Sequence, residues 1–175
     1  MRHLRAILAS AVVCAAFLMA SCAEEGPYPV RTYNMGDKVN LGHLIYTVFE
    51  TEWLTHIGQG VQTRVPQNRF FLVRLSAVNT GSSDILIPIT SLEDDAGHLY
   101  TELSNGDGVS QWIGFLRSVK PLDSNQGKVL FDVPPSHYKL KVSDEGRERI
   151  AYIDIPLSFS SDSPDILTPG AAKKK

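Results

Sequence analysis

The feature that most constrains the fold is a series of short segments in which every second residue is apolar. The longest is Phe70 to Val78, in which Arg74 and Ser76 lie opposite an entirely apolar side. That side consists of Phe71, Val73, Leu75 and Ala77. Successive side chains of a strand point to opposite faces, so this period of two predicts a half-buried β-strand with the apolar side towards the core.

The same alternation recurs between turn residues along the chain. The predicted strands are Leu44 to Phe49, Ile85 to Ile89 with its proline, and a hairpin from Leu92 to Tyr100 that turns at Asp95-Ala96-Gly97. In the later strands the residues predicted to face the core are Val129, Phe131 and Val133, then Tyr138, Leu140 and Val142, and finally Ile153, Ile155 and Leu157. We find no convincing helical pattern. Seven or more short strands separated by turns predict an all-β fold, an antiparallel sandwich of two sheets.

The N-terminus has the pattern of an export signal. Arg2 and Arg5 precede a charge-free apolar run from Ala6 to Ala20, and small residues come directly before Cys22. This order predicts a signal peptide spanning 1–22 and lipidation of Cys22. The alternative is an uncleaved anchor, because an apolar run of this length is near the lower limit of about 17 residues for a membrane span.

Cleavage before Cys22 has two consequences for the mature chain. The chain has two cysteines, and Cys14 lies in the removed segment, so the remaining thiol carries lipid and no disulfide can form. The fold must then be stabilised by its hydrophobic core. Loss of Arg2 and Arg5 changes the formal net charge from −2 to −4. An acidic chain with no concentrated basic surface is not expected to bind nucleic acid.

Composition shifts predict the domain boundaries. Residues 23–35 contain charged residues and prolines and are predicted to be a tether, 36–157 the sandwich, and 158–175 a flexible tail ending in three lysines. The predicted location is the cell envelope, outside the cytoplasm. Because Ala23 rather than aspartate follows Cys22, we expect the periplasmic face of the outer membrane in a host with two membranes.

The order of several landmarks resembles a known bacterial family. The landmarks are Gly36-Asp37 before the first strong strand, Ala77-Val78-Asn79-Thr80-Gly81 after the second, Asp94-Asp95-Ala96-Gly97 leading to Tyr100, Leu122 before a polar turn, and Gly127 before Val129-Leu130-Phe131-Asp132-Val133-Pro134. This is similar to a family of unknown function with an immunoglobulin-like sandwich, related to secreted immunoprotective antigens. The resemblance implies an exported immunoglobulin-like sandwich, without catalytic residues. The telomeric repeat-binding-factor-like label sometimes given to such proteins does not fit an exported acidic chain.

No residue pattern indicates catalysis, a metal or a cofactor. His43, His56, His98 and His137 lie on four separate segments, whereas a metal site needs converging ligands. The acidic groups around Asp94 and Asp107 match ordinary turns better than a calcium loop. The sequence contains no Gly-x-Ser-x-Gly motif for a nucleophile. We therefore predict a non-enzymatic protein with no cofactor.

The candidate binding residues lie in the unusually long segment from Glu52 to Asn68. Trp53, Leu54, Ile57 and Val61 are apolar residues among glycines there, and long connections in compact domains are often functional. Two interpretations stay open: these residues form an exposed binding pole, or they fold back against the core beside Trp53. Trp112 lies in a strand-like stretch and is expected to fill the core.

The sequence thus predicts a lipid-anchored envelope protein whose immunoglobulin-like domain binds or spaces without catalysis. Its partners would be the membrane, through the lipid, and an unidentified envelope protein or glycan. One alternative is a carbohydrate-binding module that uses exposed aromatic residues. The other alternative is an enzyme accessory or a metal carrier.

Replacing the predicted lipid attachment residue tests the N-terminal interpretation. Cys22→Ser removes the thiol that would carry the lipid, so the precursor should remain uncleaved by the lipoprotein peptidase and take up no labelled fatty acid. Immunoblotting and fatty-acid labelling measure both effects. Processed protein that stays membrane-bound in this variant would contradict lipidation at Cys22.

Overall fold

The computed structural model describes residues 28–158, and these form an all-β fold. Its eleven strands are β1 (Arg31–Asn34), β2 (Val39–Leu41), β3 (Leu44–Leu54), β4 (Phe70–Asn79), β5 (Ile85–Leu86), β6 (Ser91–Asp94), β7 (Leu99–Thr101), β8 (Ser118–Val119), β9 (Ser124–Asp132), β10 (Tyr138–Ser143) and β11 (Ile150–Ile155). A 3-10 turn, Gly60–Gln62, follows β3. Within this described range, no helix has the length and apolar character needed to cross a membrane.

The strands form two main sheets and a small ribbon. The five-stranded sheet has the order β1-β11-β10-β6-β7, and the four-stranded sheet has the order β2-β3-β4-β9. Strands β5 and β8 pair as a separate ribbon. The predicted β-sandwich is confirmed. It is not purely antiparallel, because β1 pairs in parallel with β11.

The described strands begin before the predicted start of the sandwich at residue 36 and end near its predicted end at residue 157. Strand β1 lies inside the predicted tether, 23–35, and it pairs with β11 from Arg31↔Ala151 to Asn34↔Asp154, so the sandwich starts before residue 36. At the other end Leu157 is 46% exposed and does not belong to the core. Cys22 and the predicted tail beyond Ser158 lie outside the described residues.

The main core lies between the two sheets and is built from the alternating residues. Except for Leu157, every member of the predicted inward sets is buried: Phe71, Val73, Leu75, Ala77, Val129, Phe131, Val133, Tyr138, Leu140, Val142, Ile153 and Ile155. These side chains come from both sheets and form one cluster. Burial of this apolar surface is the main favourable contribution to the stability of the sandwich.

A β-bulge in β3 changes which side chains face the core. The register with β4 shifts between Val48 and Glu50, which leaves Phe49 unpaired and 48% exposed. The extra residue reverses the parity of the strand. Trp53, which the uninterrupted alternation places on the same side as Phe49, therefore turns inward and stacks on Phe71 with ring centroids 4.2 Å apart. Trp53 therefore packs against the main core, in agreement with the second of the two interpretations left open for this segment.

The outer face of the four-stranded sheet carries a second, smaller core. We call residues 55–69 the cover and residues 103–113 the strap, because both lie over this face. The cluster consists of Ile57, Phe70, Leu72 and Leu130, with Leu54, Leu103 and Val109 packed against it. Polar contacts also hold the cover. Arg64 donates to the backbone carbonyls of Asp107 and Asn105 in the strap, at 2.7 and 3.1 Å. Asp132 accepts from the backbone amides of Gln67 and Asn68, at 2.6 and 2.8 Å.

Serine substitutions in the cover distinguish its structural role from a binding role. Ile57 is buried and Val61 is fully exposed. Ile57→Ser should lower the free energy of unfolding by roughly 2 to 4 kcal/mol, because it removes a buried side chain and buries a hydroxyl. Val61→Ser, the matched control, should change it by less than about 0.5 kcal/mol. Urea denaturation measures both, and equal effects of the two variants would contradict a cover that packs on the sheet.

Candidate functional site

A row of charged residues crosses the outer face of the four-stranded sheet where the second core ends. Glu50 on β3 pairs with Arg74 on β4, and Arg74 pairs with Lys128 on β9. Trp112 of the strap forms a parallel bridge with Lys128 and extends the row by one position. Paired residues present their side chains on the same face. The row therefore places a carboxylate, a guanidinium, an ammonium group and an indole side by side across the sheet.

The backbone of the strap fixes Trp112 at the edge of the sheet. The amide of Lys128 donates to the carbonyl of Gln111 at 2.8 Å, and the amide of Ile113 donates to the carbonyl of Lys128 at 3.2 Å. Gly127 permits this approach, because a Cβ at that position would overlap Gln111 and Ile113. The strap therefore acts as an additional edge segment beside β9.

Gly106 determines how the indole of Trp112 lies. A Cβ at Gly106 would overlap the Cγ, Cδ2 and Cε2 atoms of Trp112. The backbone of the strap therefore packs directly against the ring, and any side chain at Gly106 would displace it. Within residues 28–158, Trp112 belongs to neither buried cluster, so the expectation that it fills the core is wrong. Gly106 instead allows the indole of Trp112 to pack closely against the strap at the surface of the domain.

A buried ion pair closes the base of the strap. Glu102 and Arg117 flank this segment, their side chains are only 2% and 1% exposed, and Oε1 and Nη2 are 2.9 Å apart. Arg117 also donates to the carbonyl of Gly114 at 2.9 Å, and Glu102 accepts from the amide of Thr90 at 3.1 Å. Burial raises the pKa of the Glu102 carboxyl, and the neighbouring guanidinium opposes that rise. The pair therefore links the chain before the strap to the chain after it, beside the ribbon formed by β5 and β8.

A polar groove lies between Arg74 and Trp112. Its volume is about 550 Å³, within the range of small-ligand sites. The lining residues are Arg74, Gln111, Trp112, Ile113, Asn125 and Gln126. Lys128 lies between Arg74 and Trp112 in the row, but its ammonium pairs with Glu52 at 3.2 Å and lines the neighbouring depression. The guanidinium and the indole therefore line one groove, which we call the Arg74–Trp112 groove.

The guanidinium of Arg74 has few partners. Its Nη1 atom is 3.6 Å from Oε1 of Glu50, a weak ion pair between partly exposed groups. The Cζ atom of Arg74 lies 6.0 Å from the centroid of the Phe49 ring. The Nε atom is buried and has no hydrogen-bond acceptor among the described residues. A guanidinium has five N–H donors. The Arg74 side chain is 33% exposed, so its terminal N–H groups, unlike the buried Nε, can bind an acceptor supplied by a ligand.

The structure does not bring the sequence-predicted binding residues together as an exposed patch. Trp53 packs on the main core, while Leu54 and Ile57 belong to the second core beneath the cover. Val61 is the member of this set that is fully exposed. Binding through Val61 stays a prediction, but the larger part of the segment folds back on the sheet. Sequence reasoning missed Arg74, because it expected this residue to be an ordinary solvent-facing strand residue.

The four histidines within residues 28–158 pair with carboxylates or hydroxyls on separate parts of the surface. His137 lies between Asp95 and Asp154, at 2.8 and 2.9 Å, and the Asp95 hydrogen bond raises the pKa of His137. His43 and His98 contact Glu145 and Asp94, and His56 contacts Thr55. No group of three or more potential metal ligands occurs within residues 28–158.

Comparison with protein families finds one match. The profile described as "Domain of unknown function (DUF4352)" matches residues 33–146, which is most of the described sandwich. The search of curated proteins finds no match.

Solved structures share the sandwich at low sequence identity. The secreted protein MPT63 of Mycobacterium tuberculosis is similar with a TM-score of 0.55 and 17% identity, over 73% of this chain and 98% of that one. The yjhA protein of Bacillus subtilis is similar with a TM-score of 0.54 and 13% identity, over 71% of this chain and 99% of that one. A candidate lipoprotein of the same species, ycdA, is similar with a TM-score of 0.52 and 12% identity, over 69% of this chain and 38% of that one. These likenesses show the fold alone.

A methyl group at Gly106 tests how Trp112 is held. Gly106→Ala should displace the indole, because the new Cβ would occupy the position of the ring. In a Trp53→Phe background Trp112 is the single tryptophan, so its fluorescence emission should shift to longer wavelength as the ring becomes more exposed. Gly146→Ala is the control, since its Cβ would have no neighbour closer than 3.7 Å. Unchanged emission in Gly106→Ala would contradict this packing.

Proposed function

The chain belongs to the DUF4352 family, and from this premise we propose that it is a lipid-anchored protein of the cell envelope. Its sandwich binds an envelope component in the Arg74–Trp112 groove and catalyses no reaction. The observation that carries the proposal is the partly exposed guanidinium of Arg74, which has one weak ion pair and lines a groove beside an indole. Ligand sites combine apolar or aromatic surface with a few polar groups that fix the orientation of the ligand.

The chemistry of the groove supports binding rather than catalysis. The groove is lined by a guanidinium, an indole, an aliphatic side chain and three amides. These groups stack and form hydrogen bonds, but none of them exchanges a proton near neutral pH, as a general acid or base must. The lining therefore suits a site that holds its ligand unchanged.

The location outside the cytoplasm is supported from two directions. The signal pattern ends at Cys22, and the similar structures include a secreted protein and a candidate lipoprotein. Strand β1 begins at Arg31, which is nine residues beyond Cys22. Nine extended residues reach at most about 32 Å. A lipid on Cys22 would keep the sandwich close to the membrane surface.

Co-sedimentation with isolated envelope material tests the proposed function. Full-length protein in detergent should sediment with envelope fragments prepared from the producing bacterium, and Arg74→Gln should weaken this binding about tenfold or more. A hydrogen bond to a charged group contributes about 1.5 to 3 kcal/mol, which corresponds to a factor of ten or more in affinity.

Arg31→Gln is the matched control for this experiment. It removes the same charge from an exposed position on the other sheet. Envelope binding should be unchanged in this variant. Absence of sedimentation with the unmodified protein, or equal weakening by both substitutions, would contradict a ligand site in the Arg74–Trp112 groove.

A further inference from the structure

We propose that the ligand of the Arg74–Trp112 groove is an acidic saccharide, a sugar that carries a carboxylate. The sugar ring stacks on Trp112, and the carboxylate accepts hydrogen bonds from Arg74. This inference rests on the proposed function, because it names the class of ligand for the same groove. It concerns the chemistry of the ligand and does not depend on the lipid anchor.

The placement of Trp112 suits a sugar ring. Gly106 packs against the indole on the strap side, and the half-buried ring also lines the groove. The electron-rich face of an indole attracts polarised C–H groups, and a pyranose presents several of them on one side. Trp112 and Arg74 are two strand positions apart in the row, so their backbones are separated by about 10 Å. Lys128 lies between them but turns its ammonium to Glu52, so the guanidinium and the indole can both reach a ligand in the groove.

The placement of Arg74 suits a carboxylate. Within the described part of the chain, its contacts are the 3.6 Å pair with Glu50 and the ring of Phe49, and its buried Nε is without an acceptor. A planar guanidinium binds a planar carboxylate through two parallel hydrogen bonds, and such charge-assisted bonds are stronger than those to a neutral hydroxyl. A carboxylate on the ligand can bind the partly exposed terminal N–H groups of Arg74, for which the described residues supply one weak pair at 3.6 Å.

The remaining polar lining suits hydroxyl groups. Gln111, Asn125 and Gln126 contribute amides to the groove. An amide has both a donor and an acceptor, as a sugar hydroxyl does, so the two pair readily. Gln126 also shares a row with Ser76 and Thr47 on the same face. The groove therefore continues onto a polar strip of sheet where further hydroxyls can bind.

The local charges favour one negative charge on the ligand over two. Glu50 lies 3.6 Å from Arg74, and Glu52 lies one row away, where it pairs with Lys128. A doubly charged phosphate would meet stronger repulsion from these carboxylates than a singly charged carboxylate would. A neutral sugar would bring no negative charge to the positively charged guanidinium. These two limits single out the carboxylated sugar.

Titration calorimetry with matched saccharides tests this inference. The first pair of probes is trigalacturonic acid and its methyl ester. The second pair is N-acetylmuramic acid and N-acetylglucosamine, which differ by the lactyl carboxylate. We expect full-length protein in detergent to bind at least one acid about tenfold more tightly than its neutral partner. Binding of the first acid indicates a uronic-acid polymer as the source, and binding of the second indicates peptidoglycan.

Variants separate the contributions of the two side chains. Arg74→Gln should remove the preference for the acid while leaving the weaker affinity for the neutral partner unchanged, and Arg74→Lys should restore part of the preference. Trp112→Ala should weaken both members of the pair about tenfold, and Trp112→Phe should weaken them less. Arg31→Gln should change neither. Circular dichroism and melting temperatures establish that each variant is folded, and Arg74→Lys serves if Arg74→Gln does not fold.

The outcomes distinguish this inference from the proposed function on which it rests. Equal affinity for acid and neutral partner, or an acid preference that survives Arg74→Gln, would overturn the acidic saccharide. If envelope material sediments with the protein through Arg74 but none of the four saccharides binds, the ligand class is wrong and the proposed function stands. If neither envelope material nor any saccharide binds, both are wrong.

Discussion

Burial of β4 on both of its faces is the constraint on which the rest of the structure depends. Phe71 and Val73 pack between the two sheets, while Phe70 and Leu72 pack beneath the cover and the strap. A sheet with one solvated face needs no such covering. Here four consecutive apolar residues must all be removed from water. The long connections after β3 and β7 provide the additional surface.

The same constraint explains where the groove lies. The covering of the outer face ends at the row that contains Arg74, because charged side chains cannot be buried under an apolar cover without partners. The next row on this face, Thr47, Ser76 and Gln126, is polar, and the strap leaves the sheet at Trp112. The buried pair of Glu102 and Arg117 fixes the base of the strap. The candidate site is therefore the border between the covered and uncovered halves of one sheet.

The sequence predicts the main core well, because alternation over a regular strand is a direct consequence of backbone geometry. It could not predict the bulge at Phe49, since an extra residue in one strand is visible only when its pairing partner is known. The run Phe70-Phe71-Leu72-Val73 was a readable signal of two-sided burial, but the sequence does not specify what covers the second face. Arg74 and Trp112 are thirty-eight positions apart, and only the strap brings them to one groove.

The most direct test of this account is an NMR titration that observes the two indole N–H groups. The chain has two tryptophans: Trp53 stacks inside the main core, and Trp112 lines the groove. When soluble envelope fragments are added, the Trp112 signal should shift in a saturable manner while the Trp53 signal stays in place. A saturable interaction that leaves Trp112 unperturbed would contradict the assignment of the binding site to this groove.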